Sequence, residues 1–359
     1  MGSIEVVLVT YPDSFTLQEA KSLAESITGW RVVKIFTQKY LNHAEYGVGS
    51  GKAHEIKEFL SESANVKYVI VDEHLTSKKL FNLEKLLGVK VIDRERLILD
   101  IFYTRATTNE AKLQIQLAEI KYEMPRVREI AKISAGNERP GKGGSGEYEV
   151  DVKFRDLKRR MSFIKEKLAE AKSKRDLYHH QRKKAGMPIV SLIGYTSAGK
   201  TTLFNLLTSE HKETSASLFT TLSTTTRSMK VDEKTTVLLT DTVGFVSRLP
   251  TYMIDAFKST LEESLTADLI LLLVDSFEPL QDIRIKYSSC WQVLEELKVD
   301  RAKVFVVLTK YDNNSIDAQK IDEIIRELRL ENPLVVSSNT GYGVQKLKTI
   351  IKQRSILRK

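Results

Sequence analysis

The fold is decided by residues 189–201, which read Ile189-Val190-Ser191-Leu192-Ile193-Gly194-Tyr195-Thr196-Ser197-Ala198-Gly199-Lys200-Thr201. The mostly apolar first five residues predict a buried strand, and two glycines flanking four residues before Lys-Thr predict a phosphate-binding loop. Such a loop turns successive backbone amides toward phosphates, and the following helix adds its positive amino-terminal end. The stretch therefore predicts a doubly wound α/β domain that binds a nucleotide.

Each residue of this loop has an expected role. The amides of residues 194–199 should face the phosphates, and the ammonium of Lys200 should reach the β and γ phosphates. The hydroxyl of Thr201 should coordinate magnesium, and Thr202 should lie near the α phosphate. Because the loop motif also occurs by chance, the nucleotide is inferred only from further elements in the required order.

Two further motifs complete the phosphate and metal side of the predicted site. Asp241-Thr242-Val243-Gly244 follows an apolar strand, which puts a carboxylate near magnesium and a glycine amide near the γ phosphate. Phe219-Thr220-Thr221-Leu222 lies between the two motifs, where a threonine can complete the magnesium shell only while the γ phosphate is present. We select Thr221 over Thr220, Thr224, Thr225 and Thr226. The expected catalytic residues are Lys200, Thr221 and Gly244, and the expected magnesium ligands are Thr201, Thr221 and Asp241.

Two motifs that each follow a strand are expected to read the base. Thr309-Lys310-Tyr311-Asp312 puts Asp312 where it can accept hydrogen bonds from guanine, with Lys310 along the ring. Adenine has no matching donors. Ser337-Ser338-Asn339 suits a backbone amide to the guanine carbonyl. Five elements in order therefore predict a GTPase rather than an ATPase.

Two residues depart from the usual GTPase pattern. Thr309 stands where an asparagine is usual, which removes one bridging amide, so we expect GTP preference with some loss of affinity. Phe245 stands where many small GTPases carry a glutamine that positions the attacking water. Because a phenyl ring cannot do that, intrinsic hydrolysis should be slow.

The alternation of apolar and polar stretches divides the 359 residues into three predicted domains. Residues 1–98 are typical of a small α/β domain with a mostly parallel sheet. Residues 99–186 predict a long antiparallel helical hairpin with a glycine-rich loop near 135–147. We expect its first helix to run from Leu97 to about Ile133, kinked or divided by Pro125. Residues 187–359 form the predicted GTPase domain.

The formal charge of +9 is concentrated on the second arm of this hairpin. Residues 153–184 hold 13 lysines and arginines against four acids. A solvated helix face is the ordinary interpretation of a charge run. Concentration on one arm favours contact with nucleic acid.

Other features exclude several classes of protein. No apolar run approaches the roughly 18–20 residues needed to span a bilayer. We therefore expect a cytoplasmic protein away from membranes, and the single cysteine, Cys290, fits a small core residue in such a reducing compartment. We also expect a monomer. The six histidines show no metal-ligand spacing. The run Gly47-Val48-Gly49-Ser50-Gly51-Lys52 has the wrong spacing for a second phosphate loop, and Ala53 supplies no hydroxyl.

With these motifs assembled, nearly the whole chain resembles the HflX family of translation-factor-related GTPases, in the Obg-HflX-like superfamily of P-loop GTPases. In the GTPase domain the resemblance rests on residues 194–205, 219–222, 241–245 and 256–263. Upstream it extends to residues 100–102, 110–118 and 122–126.

The resemblance implies the same three-part fold, Mg²⁺ as cofactor, and a GTP-bound form that associates with the large ribosomal subunit. It also implies that the chain could dissociate stalled ribosomes, as some family members do. The basic arm fits contact with rRNA, whose affinity should fall as salt rises. The alternative from another class is a GTP-controlled RNA-binding or scaffolding module in which hydrolysis is only a slow timer.

Overall fold

The structure, a computed structural model, describes residues 3–63, 65–137, 145–184, 187–210, 218–219, 224–256, 267–312 and 318–356. The chain forms two compact units: Met1–Thr104 with Lys112–Ala169, and Arg105–Ala111 with Glu170–Lys359. The domain limits expected at residues 98 and 186 stay a prediction.

A four-stranded parallel sheet in the order β2-β1-β3-β4 forms the base of the first unit. Its strands are β1 Ile4–Thr10, β2 Trp30–Thr37, β3 Val66–Val71 and β4 Lys90–Asp93. The helices that connect them are α1 Ser14–Glu25, α2 Ser50–Glu62 and α3 Ser77–Leu87. Parallel strands require such crossovers, and their apolar residues are covered by the helices. The small α/β domain predicted from the alternating pattern is confirmed.

The hairpin consists of α5 Asn109–Asn137 and α6 Ser145–Lys184, and α4 Arg94–Arg105 precedes it. The apolar stripe predicted from helical spacing forms the contact between the two long helices. Its most buried members are Leu117, Ile120, Val127, Leu157 and Ile164. These residues form the apolar seam that joins the two helices.

Three expectations for the hairpin were wrong. The helix predicted to begin at Leu97 is interrupted at 106–108, where the Thr108 hydroxyl accepts the Ala111 N–H at 3.2 Å and caps α5. Of the two alternatives for Pro125, a division of the helix is wrong, because α5 continues through it, whereas a kink stays a prediction. Packing of the stripe on both sides outweighs the single hydrogen bond that the proline removes. Residues 135–137 and 145–147, predicted to lie in the glycine-rich loop, are helical, since α5 extends to Asn137 and α6 begins at Ser145.

One buried carboxylate anchors α5 to the sheet of the first unit. Asp93 is fully buried and accepts hydrogen bonds from Arg126 Nη2 at 2.6 Å and from Tyr122 Oη at 3.0 Å. Arg126 also donates to the Leu75 carbonyl at 2.7 Å. Burial raises the pKa of Asp93, and the neighbouring Arg126 opposes that rise. Removing one partner of such a buried ion pair typically lowers the free energy of unfolding by about 3–5 kcal/mol.

The second unit is built on a six-stranded sheet in the order β10-β9-β8-β5-β7-β6. Its strands are β5 Ile189–Gly194, β6 Thr225–Lys230, β7 Thr236–Asp241, β8 Leu269–Asp275, β9 Val304–Thr309 and β10 Leu334–Val335. Its helices are α7 Lys200–Thr208, Leu280–Glu296, Ala318–Leu328 and Val344–Ile356, with a short 3₁₀ turn at Arg301–Lys303 and helical residues at 251–256. The doubly wound α/β sheet predicted for this part of the chain is confirmed.

All strands of this sheet except one run parallel. The exception is β6, which pairs antiparallel with β7 at the edge and was not predicted. The sequence of β6 is polar and only Met229 in it is buried, so it lacks the alternating apolar pattern that predicts a strand. The carboxyl ends of the parallel strands therefore meet at one edge of the sheet, which is where ligands bind in folds of this class.

Two smaller expectations can also be compared with the structure. Cys290 is buried and unpaired by any disulfide, as expected for a small core residue. Within the part of the chain that the structure describes, no helix is long and apolar enough to cross a membrane.

Candidate nucleotide-binding site

The predicted phosphate loop lies between β5 and α7, at the carboxyl end of a central strand. Ser197 has a φ of +63° and Gly199 a φ of +85°, and these left-handed positions curve the backbone amides into an anion-binding nest. Gly194 has no room for a side chain, because an added Cβ would lie 2.6 Å from the Leu273 carbonyl oxygen. The loop backbone therefore has the geometry of an anion-binding nest.

Lys200 is buried inside this loop. Its Nζ donates to the carbonyl oxygens of Gly194 at 3.1 Å and of Tyr195 at 2.7 Å. Burial lowers the pKa of Lys200 to about 8, and the charge of Asp241 opposes part of that fall. Phosphate oxygens would offer charged acceptors in place of two neutral carbonyls, which makes stronger hydrogen bonds.

The two parts of the expected magnesium site meet in the structure. Thr201 Oγ1 donates to Asp241 Oδ2 at 3.1 Å, and both side chains are buried. Both groups are hard oxygen donors of the kind that Mg²⁺ prefers, so the residues present fit this ion. In the described residues no cluster of three His, Cys, Asp or Glu could hold a metal. The third expected ligand, Thr221, and its neighbour Thr220 lie outside the described residues.

The segment that follows Asp241 lies directly on the phosphate loop. The Phe245 N–H donates to the Gly194 carbonyl at 3.1 Å, and the Phe245 carbonyl accepts the Thr196 N–H at 2.8 Å. An added Cβ at Gly244 would lie 2.8 Å from Thr196 Cγ2 and 3.0 Å from Lys200 Nζ. The Phe245 ring is buried, so this position meets the loop through its backbone and not through its ring.

Several predicted residues near this segment bury their side chains in the protein. The Thr242 hydroxyl donates to the Leu192 carbonyl at 2.7 Å, Val243 is 8% exposed, and Phe219 is 3% exposed with a φ of +58°. Any contact of these three with a nucleotide is therefore left to their backbones. Thr225 and Thr226, which were two of the alternatives to Thr221, lie in the edge strand β6.

Tyr195 makes a contact that the sequence did not indicate. Its Oη accepts the Ser247 N–H at 2.6 Å, and Lys286 Nζ lies 5.2 Å from the centre of its ring. The motif leaves this loop position variable, and Ser247 lies 52 residues further along the chain. No local pattern could have joined the two.

Thr309 joins the base-reading motif to the phosphate loop. Its hydroxyl lies 2.9 Å from the Ala198 carbonyl oxygen and 3.1 Å from the Val274 carbonyl oxygen. The amide of the usual asparagine is absent, as expected, but a bridge to the loop remains. The hydroxyl, which is buried with Thr309, supplies it.

The expected guanine-binding residues lie together on neighbouring loops. Lys310 has a φ of +62°, and its Nζ is 2.6 Å from Asp275 Oδ2. The Asn339 side-chain amide donates to the Asp312 carboxylate. Asp275 was missed by sequence reasoning, although an acid at the carboxyl end of the apolar strand 269–274 was a usable signal.

The second base motif is held as a tight turn beside the first. The Ser337 carbonyl accepts the Gly341 N–H at 3.1 Å, and its hydroxyl accepts the Thr340 N–H at 3.0 Å. Ser337 is buried, Ser338 is partly exposed and Asn339 is exposed. The turn thus presents Asn339 and the adjoining backbone toward the Asp312 loop.

Three family models match successive parts of the chain. Residues 15–103 match a model described as GTP-binding GTPase N-terminal, and residues 105–182 match GTP-binding GTPase Middle Region. Residues 189–310 match a model described as 50S ribosome-binding GTPase.

Similar proteins cover most of the chain. The GTPase HflX of Methanocaldococcus jannaschii is 40% identical over 341 residues, which cover 94% of this chain and 83% of that protein. The GTPase HflX of Thermococcus kodakarensis is 38% identical over 348 residues, covering 95% of this chain and 78% of that protein. The GTPase HflX of Caldanaerobacter subterraneus is 42% identical over 317 residues, covering 86% and 72%.

Solved structures share the fold over the whole length. A complex of SsGBP with GDP aligns with a TM-score of 0.56 at 24% identity, covering 100% of this chain and 99% of that one. A GTP-binding protein of Sulfolobus solfataricus, also in complex with GDP, aligns with a TM-score of 0.51 at 24% identity, covering 99% and 100%. At 24% identity, this similarity shows only that the fold is shared.

Proposed function

Because the chain belongs to the HflX family of GTPases, we propose that it hydrolyses GTP with Mg²⁺ at the loop 194–201 and binds the large ribosomal subunit in its GTP-bound form. The observation that carries the proposal is the convergence of three motifs at one edge of the sheet. Thr201 joins the loop to Asp241, and Thr309 joins it to the base-reading motif. We propose that the protein works as a monomer in the cytoplasm.

In this proposal the phosphates lie in the nest of amides, with Lys200 on the β and γ phosphates and Thr202 beside the α phosphate. Water attacks the γ phosphorus, the bond to the β–γ bridging oxygen breaks, and GDP and phosphate are released. Thr201 and Asp241, with Thr221 in the GTP-bound form, would hold Mg²⁺, which when bound neutralises charge on the phosphates. The desolvated ammonium of Lys200 supports this assignment, since electrostatic stabilisation is strongest where water is excluded.

Guanine specificity is assigned to Asp312, with Lys310 along the ring and the turn of Ser337, Ser338 and Asn339 at the guanine carbonyl. The carboxylate of Asp312 would accept two donors that guanine has and adenine lacks. Replacing Asp312 by asparagine should shift the preference toward xanthosine triphosphate, which competition binding measures. ATP competing equally with GTP for the unmodified protein would contradict the assignment.

Hydrolysis by the isolated protein should be slow. The Gly244 amide would contact the γ phosphate, but Phe245 has no side-chain group that can orient water, and its ring is buried. The attacking water must therefore be positioned by backbone, by another loop or by a partner. We propose that binding to the large subunit does this.

Contact with the ribosome is assigned to the basic arm α6. Its excess of lysine and arginine suits a phosphate backbone. The model described as 50S ribosome-binding GTPase matches residues 189–310, so it supports the choice of partner and not the choice of α6. Dissociation of stalled ribosomes is the outcome that we propose for this contact. The competing proposal, favoured by Phe245, is an RNA-binding or scaffolding module in which hydrolysis is only a slow timer.

Two measurements separate the proposals. Sedimentation with purified large subunits should show co-migration with a nonhydrolysable GTP analogue and little with GDP. Single-turnover hydrolysis should accelerate when large subunits are added. Binding without any acceleration would favour the slow-timer module, and absence of binding in both nucleotide states would remove the ribosome from the proposal.

A further inference from the structure

A cavity of about 390 Å³ opens on the helical hairpin of the first unit. Its size lies within the range of about 300–1,000 Å³ that is usual for small-ligand pockets. Gln116 of α5 lines one side, and residues of α6 line the rest: Arg159, Arg160, Phe163 and Ile164. The cavity therefore lies beside the apolar seam that joins the two helices.

Phe163 is the unusual member of this group. Its side chain is 57% exposed, although a phenyl ring has no polar atom to face water. Ile164, its neighbour in sequence, is 4% exposed and belongs to the seam, so it gives the cavity an apolar floor. Lys167 Nζ lies 5.9 Å from the centre of the Phe163 ring, one helical turn away. An aromatic face is thus presented to solvent among cations.

The charges around the ring are positive and accessible. Arg159 pairs with Asp156 at 3.1 Å, but its side chain is 84% exposed, so the pair is weak and easily exchanged. Arg160 is exposed and lies close enough to Glu119 for its charge to oppose the rise in the pKa of Glu119 that burial causes. These two acids are outnumbered by the basic residues of α6.

We infer that this cavity binds one unstacked nucleobase of a single-stranded RNA. The base would stack on Phe163 over Ile164, Gln116 would bond its edge, and Arg159 and Arg160 would contact the adjoining phosphates. Aromatic faces beside arginines are the usual means of holding splayed-out RNA bases. A protein segment would need an acidic sequence to tolerate these charges. The inference rests on the proposed contact with ribosomal RNA and specifies how part of it is made.

The test uses the full chain with a single-stranded RNA of about 12 nucleotides that carries 2-aminopurine near its centre. Binding should quench the fluorescent base through stacking. Replacing Phe163 by alanine should weaken binding by about 5- to 150-fold and abolish the quenching. Replacing Phe163 by tyrosine should retain both the binding and the quenching of the unmodified protein, because an aromatic face is what the base requires.

Two matched variants separate stacking from charge. Phe81→Ala removes a phenylalanine that is 60% exposed on α3, and it should leave binding and quenching unchanged. The double variant of Arg159 and Arg160 to glutamine should make the negative slope of log affinity against log salt shallower by about 1.4, while Phe163→Ala leaves that slope unchanged. Circular dichroism checks that each variant is folded. Equal binding and equal quenching by the Phe163→Ala variant would overturn the inference.

Sedimentation with large subunits distinguishes this inference from the proposed function. If the protein quenches the 2-aminopurine of the oligonucleotide but does not bind the large subunit, the result would support base binding in the cavity and reject the ribosomal partner. Subunit binding that Phe163→Ala leaves intact, with no quenching by the oligonucleotide, would support the ribosomal partner and reject the cavity. An acidic peptide that binds the cavity in place of RNA would also reject it.

Discussion

Raising the pH from 7 to 9 is expected to weaken binding of GDP by about tenfold, because the ammonium of Lys200 must be charged to hold the β phosphate. Burial lowers the pKa of Lys200 to about 8 in the free protein. In the complex the phosphate oxygens should return the pKa to its ordinary value near 10.4 or above it. The protonated form is therefore favoured by nucleotide, and binding takes up a proton in this pH range.

The size of the effect follows from the two pKa values. With a pKa of about 8, roughly nine-tenths of the free protein carries the charge at pH 7 and roughly one-tenth at pH 9. The bound form stays charged over the same range, so affinity falls with the charged fraction of the free form. At pH 8 binding should take up about half a proton per nucleotide.

Titration calorimetry in buffers of different ionisation enthalpy measures both the affinity and the proton uptake. The matched control is Lys200→Arg, whose guanidinium stays charged from pH 7 to 9. Any ionisation of the nucleotide over this range affects the variant and the unmodified protein alike, so the comparison removes it. The variant should show a flat profile, whatever its absolute affinity. Constant affinity for the unmodified protein between pH 7 and 9, with no proton uptake at pH 8, would refute the reasoning.

Three further predictions concern contacts around the loop. Thr309→Val keeps the side-chain volume but removes the donor to the Ala198 carbonyl, so stability should fall by about 1–3 kcal/mol and GDP affinity should also fall, as thermal denaturation and calorimetry would show. Tyr195→Phe removes the acceptor of the buried Ser247 N–H and should lower the free energy of unfolding of the nucleotide-free protein by about 1–3 kcal/mol in thermal denaturation; an unchanged melting temperature would contradict this. Gly244→Ala forces a Cβ against the loop and should cost about 1–3 kcal/mol and slow single-turnover hydrolysis, whereas a fully active, equally stable variant would show that the loop can yield there.

Much of the fold could be predicted because its signals are local. Buried parallel strands such as β5 and β8 are continuous apolar runs, and a strand followed by glycines and Lys-Thr leaves few alternatives. The helical stripe of α5 and α6 is equally legible, since residues three and four apart share one face. These patterns need no knowledge of distant residues.

Other elements could not be predicted, because their signals are not local. The strand β6 is polar and is held by pairing with the backbone of β7, which composition does not report. Continuity of α5 through Pro125 depends on packing beyond the residue itself, although the end of α4 was marked by the capping Thr108.

The sequence alone determined the order of the nucleotide motifs, the family and the position of the basic arm, because each is written in the types and spacing of nearby residues. Only the tertiary structure decided that Thr309 bridges to Ala198, 111 residues away, and that Phe245 meets the loop through its backbone. The same holds for Phe163, whose position beside a cavity depends on how α5 packs against α6. The physical reason is that sheet order and helix packing bring distant residues together, and one-dimensional spacing carries no record of that pairing.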